Sequence, residues 1–223
     1  MRPTGETVPA FGSNLTMAPG LGKLAPMPTG RLEAFSDGVI AILITIMVLE
    51  LKVPHGSDFV ALCEVVPVLC GYVLSFVFIG IYWNNHHHML HTCERISGSI
   101  LWANLHLLFW LSLVPFATAW MGESHSAPLP TAGYGVVLFA AGVAYLILQT
   151  AIIRTQGPNS KLQRLLGRDL KGKASAVLYL SAIALAFVSA HVSQAIYVFV
   201  ALTWLVPDRR IEARFAAEEP TER

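Results

Sequence analysis

Two clusters of residues in this chain have types and spacings that could do chemistry. The first is His86-His87-His88, with His91 following, at the close of an apolar run that reads Tyr82-Trp83-Asn84-Asn85. His88 and His91 would share one face of a helix, a spacing that invites a metal reading. Membrane di-iron oxygenases need several histidine boxes, however, and here His55, His106, His125 and His191 are isolated. No resident metal or other cofactor is therefore expected. Hydrogen bonding of some of these histidines to polar groups, with the rest solvated at an interface, accounts for the cluster.

The second cluster opens an apolar segment: Arg31-Leu32-Glu33-Ala34-Phe35-Ser36-Asp37-Gly38. Ionisable groups at the start of a lipid-embedded helix are costly and default to paired or functional roles. Glu33 and Asp37 could interact with the positive helix N-terminus and with Arg31, or they could take part in ion or proton passage. Further along stand Ile42, Thr45, Ile46 and Leu49, which at 100° per residue fall within roughly 100° of arc. Such a stripe packs against lipid or a core. It could equally form a hydrophobic constriction that controls ion passage by dewetting. Asp37 points some 140° from Ile42 and would face neighbouring helices if Ile42 faced a pore. A third segment carries Asn104 and His106, which need hydrogen-bond partners in lipid. A shared cluster of Arg31, Ser36, Asp37, His86 and Asn104 would satisfy them.

The elements that must position these residues are membrane helices. Hydrophobic residues make up 54% of the 223, charged residues only 13%, and mean hydropathy is +0.57. A soluble domain needs more charge than that to cover its surface. A net charge of +1 argues neither for nucleic acid nor for a strongly acidic partner, and with no basic, aromatic-interleaved face no nucleic-acid partner is expected. Cys63 and Cys70 lie seven residues apart on one apparent helix, too far to bridge, so no disulfide framework is expected. Six apolar segments can be marked: 32–51, 59–83, 96–120, 131–153, 174–190 and 192–206. The polar run Ser189–Gln194 between the last two predicts a hairpin. The expected fold is an all-α membrane protein with six transmembrane helices per subunit, embedded in lipid.

Under six crossings, fourteen of the fifteen Lys and Arg residues fall on one side, and Lys52 alone falls on the other. The excess of positive charge marks the cytoplasmic side. The expectation is a multi-pass cell-membrane protein with both termini cytoplasmic. Residues 1–30 would be a flexible N-terminal tail, 31–207 the six-helix transmembrane domain and 208–223 a C-terminal tail. Residues 160–166 predict a short amphipathic turn on the inner leaflet. The six-helix unit shows no duplication, so a pore would need oligomerisation. Thr131-Ala132-Gly133-Tyr134-Gly135 resembles the TVGYG filter of conventional potassium channels, but no pore helix and re-entrant loop can precede it, and the match is read as coincidence.

Arg31-x-x-x-Phe35-Ser36-Asp37 resembles the RxxxFSD signature of the transmembrane protein 175 family of potassium channels. The resemblance extends to Trp83-x-x-His86 and to Asn104 with Pro115-Phe116. It implies a homotetramer whose pore is lined by the first helix, conducting K+ passively as permeant ion, with proton permeation as a second activity. Carried over, it makes Ile42, Thr45, Ile46 and Leu49 the pore and selectivity residues. Arg31, Phe35, Ser36, Asp37, Trp83, His86 and Asn104 become a structural network holding that helix. The additional His87 and His88 leave open a protonation-dependent gate at the inner mouth. A secondary transporter, with a second helix broken at Pro67 or Gly71, and a His-rich membrane metalloenzyme are the alternatives.

Overall fold

The computed structural model describes residues 28–157, 160–166 and 170–205. The two expected tails fall almost wholly outside them, as do Arg2, Lys23, Arg168, Arg209, Arg210, Arg214 and Arg223. The described residues form eight helices and no strand: α1 Thr29–Leu49, α2 Phe59–His91, α3 Gly98–Ser112, α4 Val114–Glu123, α5 Pro128–Gln156, α6 Lys161–Leu166, α7 Leu170–Leu185 and α8 Ala190–Leu205.

Local chemistry sets the boundaries. Pro28 precedes α1, and Asp58 caps α2 by accepting from the Ala61 amide at 2.9 Å. Pro128 opens α5, where a missing N–H costs nothing, and Gly157 closes it at φ 92°, a left-handed conformation that glycine adopts freely. The 33 residues of α2 rise about 50 Å, more than a hydrocarbon layer of roughly 30 Å, so the helix continues eight residues past the expected end at Trp83 and carries all four clustered histidines. It runs unbroken through Pro67 and Gly71. The break comes in the third apolar segment instead. Pro115 lacks an N–H and crowds the preceding turn, which divides α3 from α4 at Leu113.

Among the described residues four helical stretches are long and apolar enough to cross a membrane: α1, α2, α3–α4 taken together, and α5. The described parts of α7 and α8 have 16 residues each and are shorter. They pair antiparallel, since Ser193 Oγ donates to the Ala182 carbonyl (2.7 Å) and Trp204 Nε1 to Ser175 Oγ (2.9 Å). The expected hairpin is therefore present, with its turn at residues 186–189, a few residues earlier than the polar run suggested.

The core gathers around α5, which buries Tyr134, Leu138, Ala141, Ala144, Leu148 and Ile152 against α3, α4, α7 and α8. The filter-like sequence is part of this helix. Thr118 Oγ1 spends its proton on the Val114 carbonyl, so Ser75 donates to Thr118 and Tyr134 donates to Ser75 (2.7, 2.6 and 2.9 Å). A Cβ at Gly135 would lie 2.1 Å from Tyr197 Oη, so this glycine is required by helix packing and not by a filter loop. Within the expected amphipathic turn at 160–166, Lys161–Leu166 form the short helix α6, with Lys161 and Arg164 exposed and Leu162 buried.

The two ends of the bundle differ in charge. Glu33 meets His87 at one end, where Ser97 Oγ also meets Thr155 Oγ1. The amino end of α1, the carboxyl ends of α2 and α5 and the start of α3 thus lie together. Among the described residues Arg31, Arg95, Arg154, Lys161, Arg164, Lys171 and Lys173 belong to that end. Lys52, at the other end, pairs with Glu123 at 2.5 Å.

Candidate functional site

Helix α1 has two faces. Leu32, Ser36, Ile40, Leu43 and Met47 are buried, spaced 4, 4, 3 and 4 residues apart, and dock on α2 and α3. Ile42, Thr45, Ile46 and Leu49 are exposed, Ile42 by 57% and Leu49 by 78%. At 100° per residue the centres of the two stripes stand about 130° apart. None of the described residues covers the second stripe.

The buried face is fixed by a directional chain of hydrogen bonds. Ser36 Oγ donates to the Leu32 carbonyl (2.8 Å) and accepts from Asn104 Nδ2 (2.9 Å). Asn104 Oδ1 then accepts from His86 Nε2 at 2.7 Å. Because the amide oxygen can only accept, His86 carries its proton on Nε2. Its Nδ1 is buried and has no partner. All three side chains are shielded, Ser36 and Asn104 completely. Such a network, fully directional across three helices, fixes the rotation of α1 and hence which stripe it leaves bare.

The other signature residues surround this chain. Asp37 Oδ1 accepts from Trp83 Nε1 at 3.0 Å, facing α2 as the 140° offset predicted. Phe35 is exposed on the bare side. Arg31 does not join the expected cluster: it is exposed and makes no ion pair with Glu33 or Asp37. Glu33 turns instead to His87 Nδ1 (2.6 Å) and His91 Nε2 (3.7 Å). The sequence reading placed Glu33 with Arg31 because they are neighbours in the chain. It missed α2, whose extra turns bring imidazoles across. The i, i+4 spacing of His87 and His91 was the available signal, passed over for His88 and His91.

On the bare stripe Thr45 Oγ1 donates to the Ile42 carbonyl at 2.9 Å. Its only proton is spent on its own helix, so the hydroxyl presents lone pairs outward. That is the polarity a partly dehydrated cation requires. Flanking aliphatic side chains offer no such atoms and can only exclude water.

The family model described as "Endosomal/lysosomal potassium channel TMEM175" matches residues 31–115. That stretch contains α1 from its third residue onward, all of α2 and the polar chain. A protein of Chryseobacterium sp. (strain P1-3) named a potassium channel is 53% identical over 186 residues, covering 83% of this chain and 97% of that one. A second so named, from Streptomyces collinus, is 32% identical over 185 residues, covering 78% and 90%. The crystal structure of a lysosomal potassium-selective channel TMEM175 homolog from Chamaesiphon minutus superposes with a TM-score of 0.69 at 29% identity, covering 80% of this chain and 96% of that one.

Proposed function

The chain belongs to the TMEM175 family, and from that premise we propose that it is a potassium channel whose pore forms where several copies bring the bare stripe of α1 to a common axis. The observation that carries this reading is the exposure of Ile42, Thr45, Ile46 and Leu49 on a helix whose opposite face is locked by Ser36, Asn104 and His86. One α1 cannot enclose a path for an ion; a ring of them can. Phe35, Gly38, Ile42, Thr45 and Leu49 repeat at 3, 4, 3 and 4 residues, the spacing with which helices meet in a seam. Four subunits is the number carried over from the resemblance. In this assembly Ile42 and Leu49 form apolar rings and Thr45 supplies oxygen between them. A K+ ion surrenders its larger, looser hydration shell at less cost than Na+, so a narrow apolar passage with few oxygens favours K+.

The excess of Lys and Arg at the amino end of α1 supports cytoplasmic termini. With the α7–α8 hairpin inserted beside α5, each subunit makes six crossings. The relatives' names as channels favour transport over catalysis.

The test is flux from liposomes loaded with K+ and holding purified protein, with K+, Na+ and a non-permeant cation compared outside. The reading predicts K+-dependent flux that is absent from empty liposomes and altered by Ile42→Asn. Silence toward every monovalent cation would contradict it. A pH-sensitive dye in the same vesicles reads proton permeation, and light scattering of the purified protein reads the subunit number.

A further inference from the structure

Glu33, His87 and His91 are left over once the buried chain and the bare stripe are accounted for. The three belong to two helices, with one ligand atom each: Glu33 Oε1, His87 Nδ1 and His91 Nε2. These atoms all lie within 4.8 Å of one another. His87 and His91 occupy successive turns of one α2 face, their rings edge to face at 4.4 Å between centroids. Trp83, itself tied to Asp37, stacks on the far side of His87 at 6.3 Å. We propose that this trio binds a late first-row divalent cation of the Zn2+ class at the inner end of α1.

The donor set decides the class. Two imidazoles and one carboxylate suit zinc, nickel or copper, whereas Mg2+ and Ca2+ require oxygen shells. Three protein ligands leave a tetrahedral ion one open position, which water fills. At metal–ligand distances of about 2.0–2.2 Å, two tetrahedral ligands stand roughly 3.3 Å apart. The contacts of 2.6 and 3.7 Å from Glu33 bracket that value, so each needs to move by less than about 1 Å. Half-exposed side chains at helix ends can make that shift, and an ion can reach them from water: His91 is 59% exposed. In the metal-free protein a proton between His87 and Glu33 occupies part of the place the cation takes.

The consequence for conduction follows from where Glu33 sits. It is on α1, two turns before Ile42, so an ion shared with His87 and His91 ties the start of the proposed pore helix to α2. Zinc on the histidine side should then lower K+ flux. That consequence rests on the channel reading; binding itself does not, and the two are measured separately.

Full-length protein, freed of any affinity tag and held in nanodiscs, is titrated calorimetrically with ZnCl2. About one Zn2+ per subunit is expected, displaced by Ni2+ and not by Mg2+. His91→Ala and Glu33→Gln should each weaken binding at least about tenfold, and His88→Ala should leave it unchanged. His91 is exposed enough that His91→Ala keeps the wild-type elution profile, so its loss of binding reads the site and not the fold. No zinc-dependent heat from the wild type, or equal uptake by wild type, His91→Ala and Glu33→Gln, overturns the proposal. Zinc bound as expected with no K+ flux at any zinc level would leave the site standing and contradict the channel reading alone.

Discussion

The two faces of α1 are made of nearly the same residue types and do opposite things. One buries Leu32, Ile40, Leu43 and Met47, each at most 6% exposed; the other leaves Ile42, Ile46 and Leu49 open. Hydrophobicity does not distinguish them. What does is a single serine, Ser36, whose hydroxyl must meet Asn104 and whose rotation around the helix decides which aliphatic residues go inward. A buried polar contact here selects a geometry more than it adds stability, since interhelical hydrogen bonds in membranes average about 0.6 kcal/mol. On the proposed reading the bare face can remain apolar and still serve conduction, because a dewetted ring is a barrier to a cation that nearby oxygens, here Thr45's, would lower.

Substitutions on the two faces should therefore separate stability from conduction. The largest loss of stability is expected from Met47→Ala on the docked face, about 2–5 kcal/mol by the usual cost of emptying a packed core site, read as a lowered thermal midpoint in detergent. Asn104→Ala should cost about 1–3 kcal/mol, because it strands the His86 Nε2 proton and the Ser36 oxygen. If the polar chain sets the rotation of α1, Asn104→Ala should also blunt K+ over Na+ preference in the protein that still folds, which Met47→Ala should not do. Ile42→Asn and Leu49→Asn reverse the pattern: they leave the docked face of α1 intact and lower the thermal midpoint less than Asn104→Ala does, but give faster K+ flux or weaker discrimination against Na+, measured in the same liposomes. The smallest effect belongs to Lys52→Gln at the far end. The Glu123 carboxylate beside Lys52 holds its ammonium above the ordinary 10.5. A group raised in the folded state contributes below its unfolded value and loses that contribution as pH rises through the folded one. Wild type and Lys52→Gln should thus converge above pH 10.5, and the exposed pair should leave flux at neutral pH unchanged.

Much of this was legible in the sequence, for identifiable reasons. The 3.6-residue period placed Asp37 away from Ile42, and Trp83 is where that offset points. The need of buried amides and imidazoles for partners brought Ser36, His86 and Asn104 together before any contact was known. Hydropathy falls at Asn84-Asn85 and suggests an early end to the second helix, whereas the turns beyond it are held by packing, with His86, Met89 and Leu90 buried. That early end hid the reach of His87 and His91 to Glu33. Pro115 signals the break at Leu113, whereas α2 accommodates Pro67, the break point of the transporter alternative, without interruption. Burial of Gly135 could not be read locally, because it depends on Tyr197, more than sixty residues away.

The central claim is that the bare stripe of α1 faces the permeating ion. Its most direct test places a thiol at Thr45. Cys63 and Cys70 are exposed and are first replaced by alanine; Cys93 is buried, and burial pushes its thiol up, so it stays inert. Silver ion, a monovalent cation that bonds thiolate and can travel where K+ travels, is then added to liposomes holding Thr45→Cys in that background. The account predicts that K+ flux is lost irreversibly with Thr45→Cys and is untouched in the parent. Flux that survives silver treatment of Thr45→Cys unchanged would put the pore elsewhere.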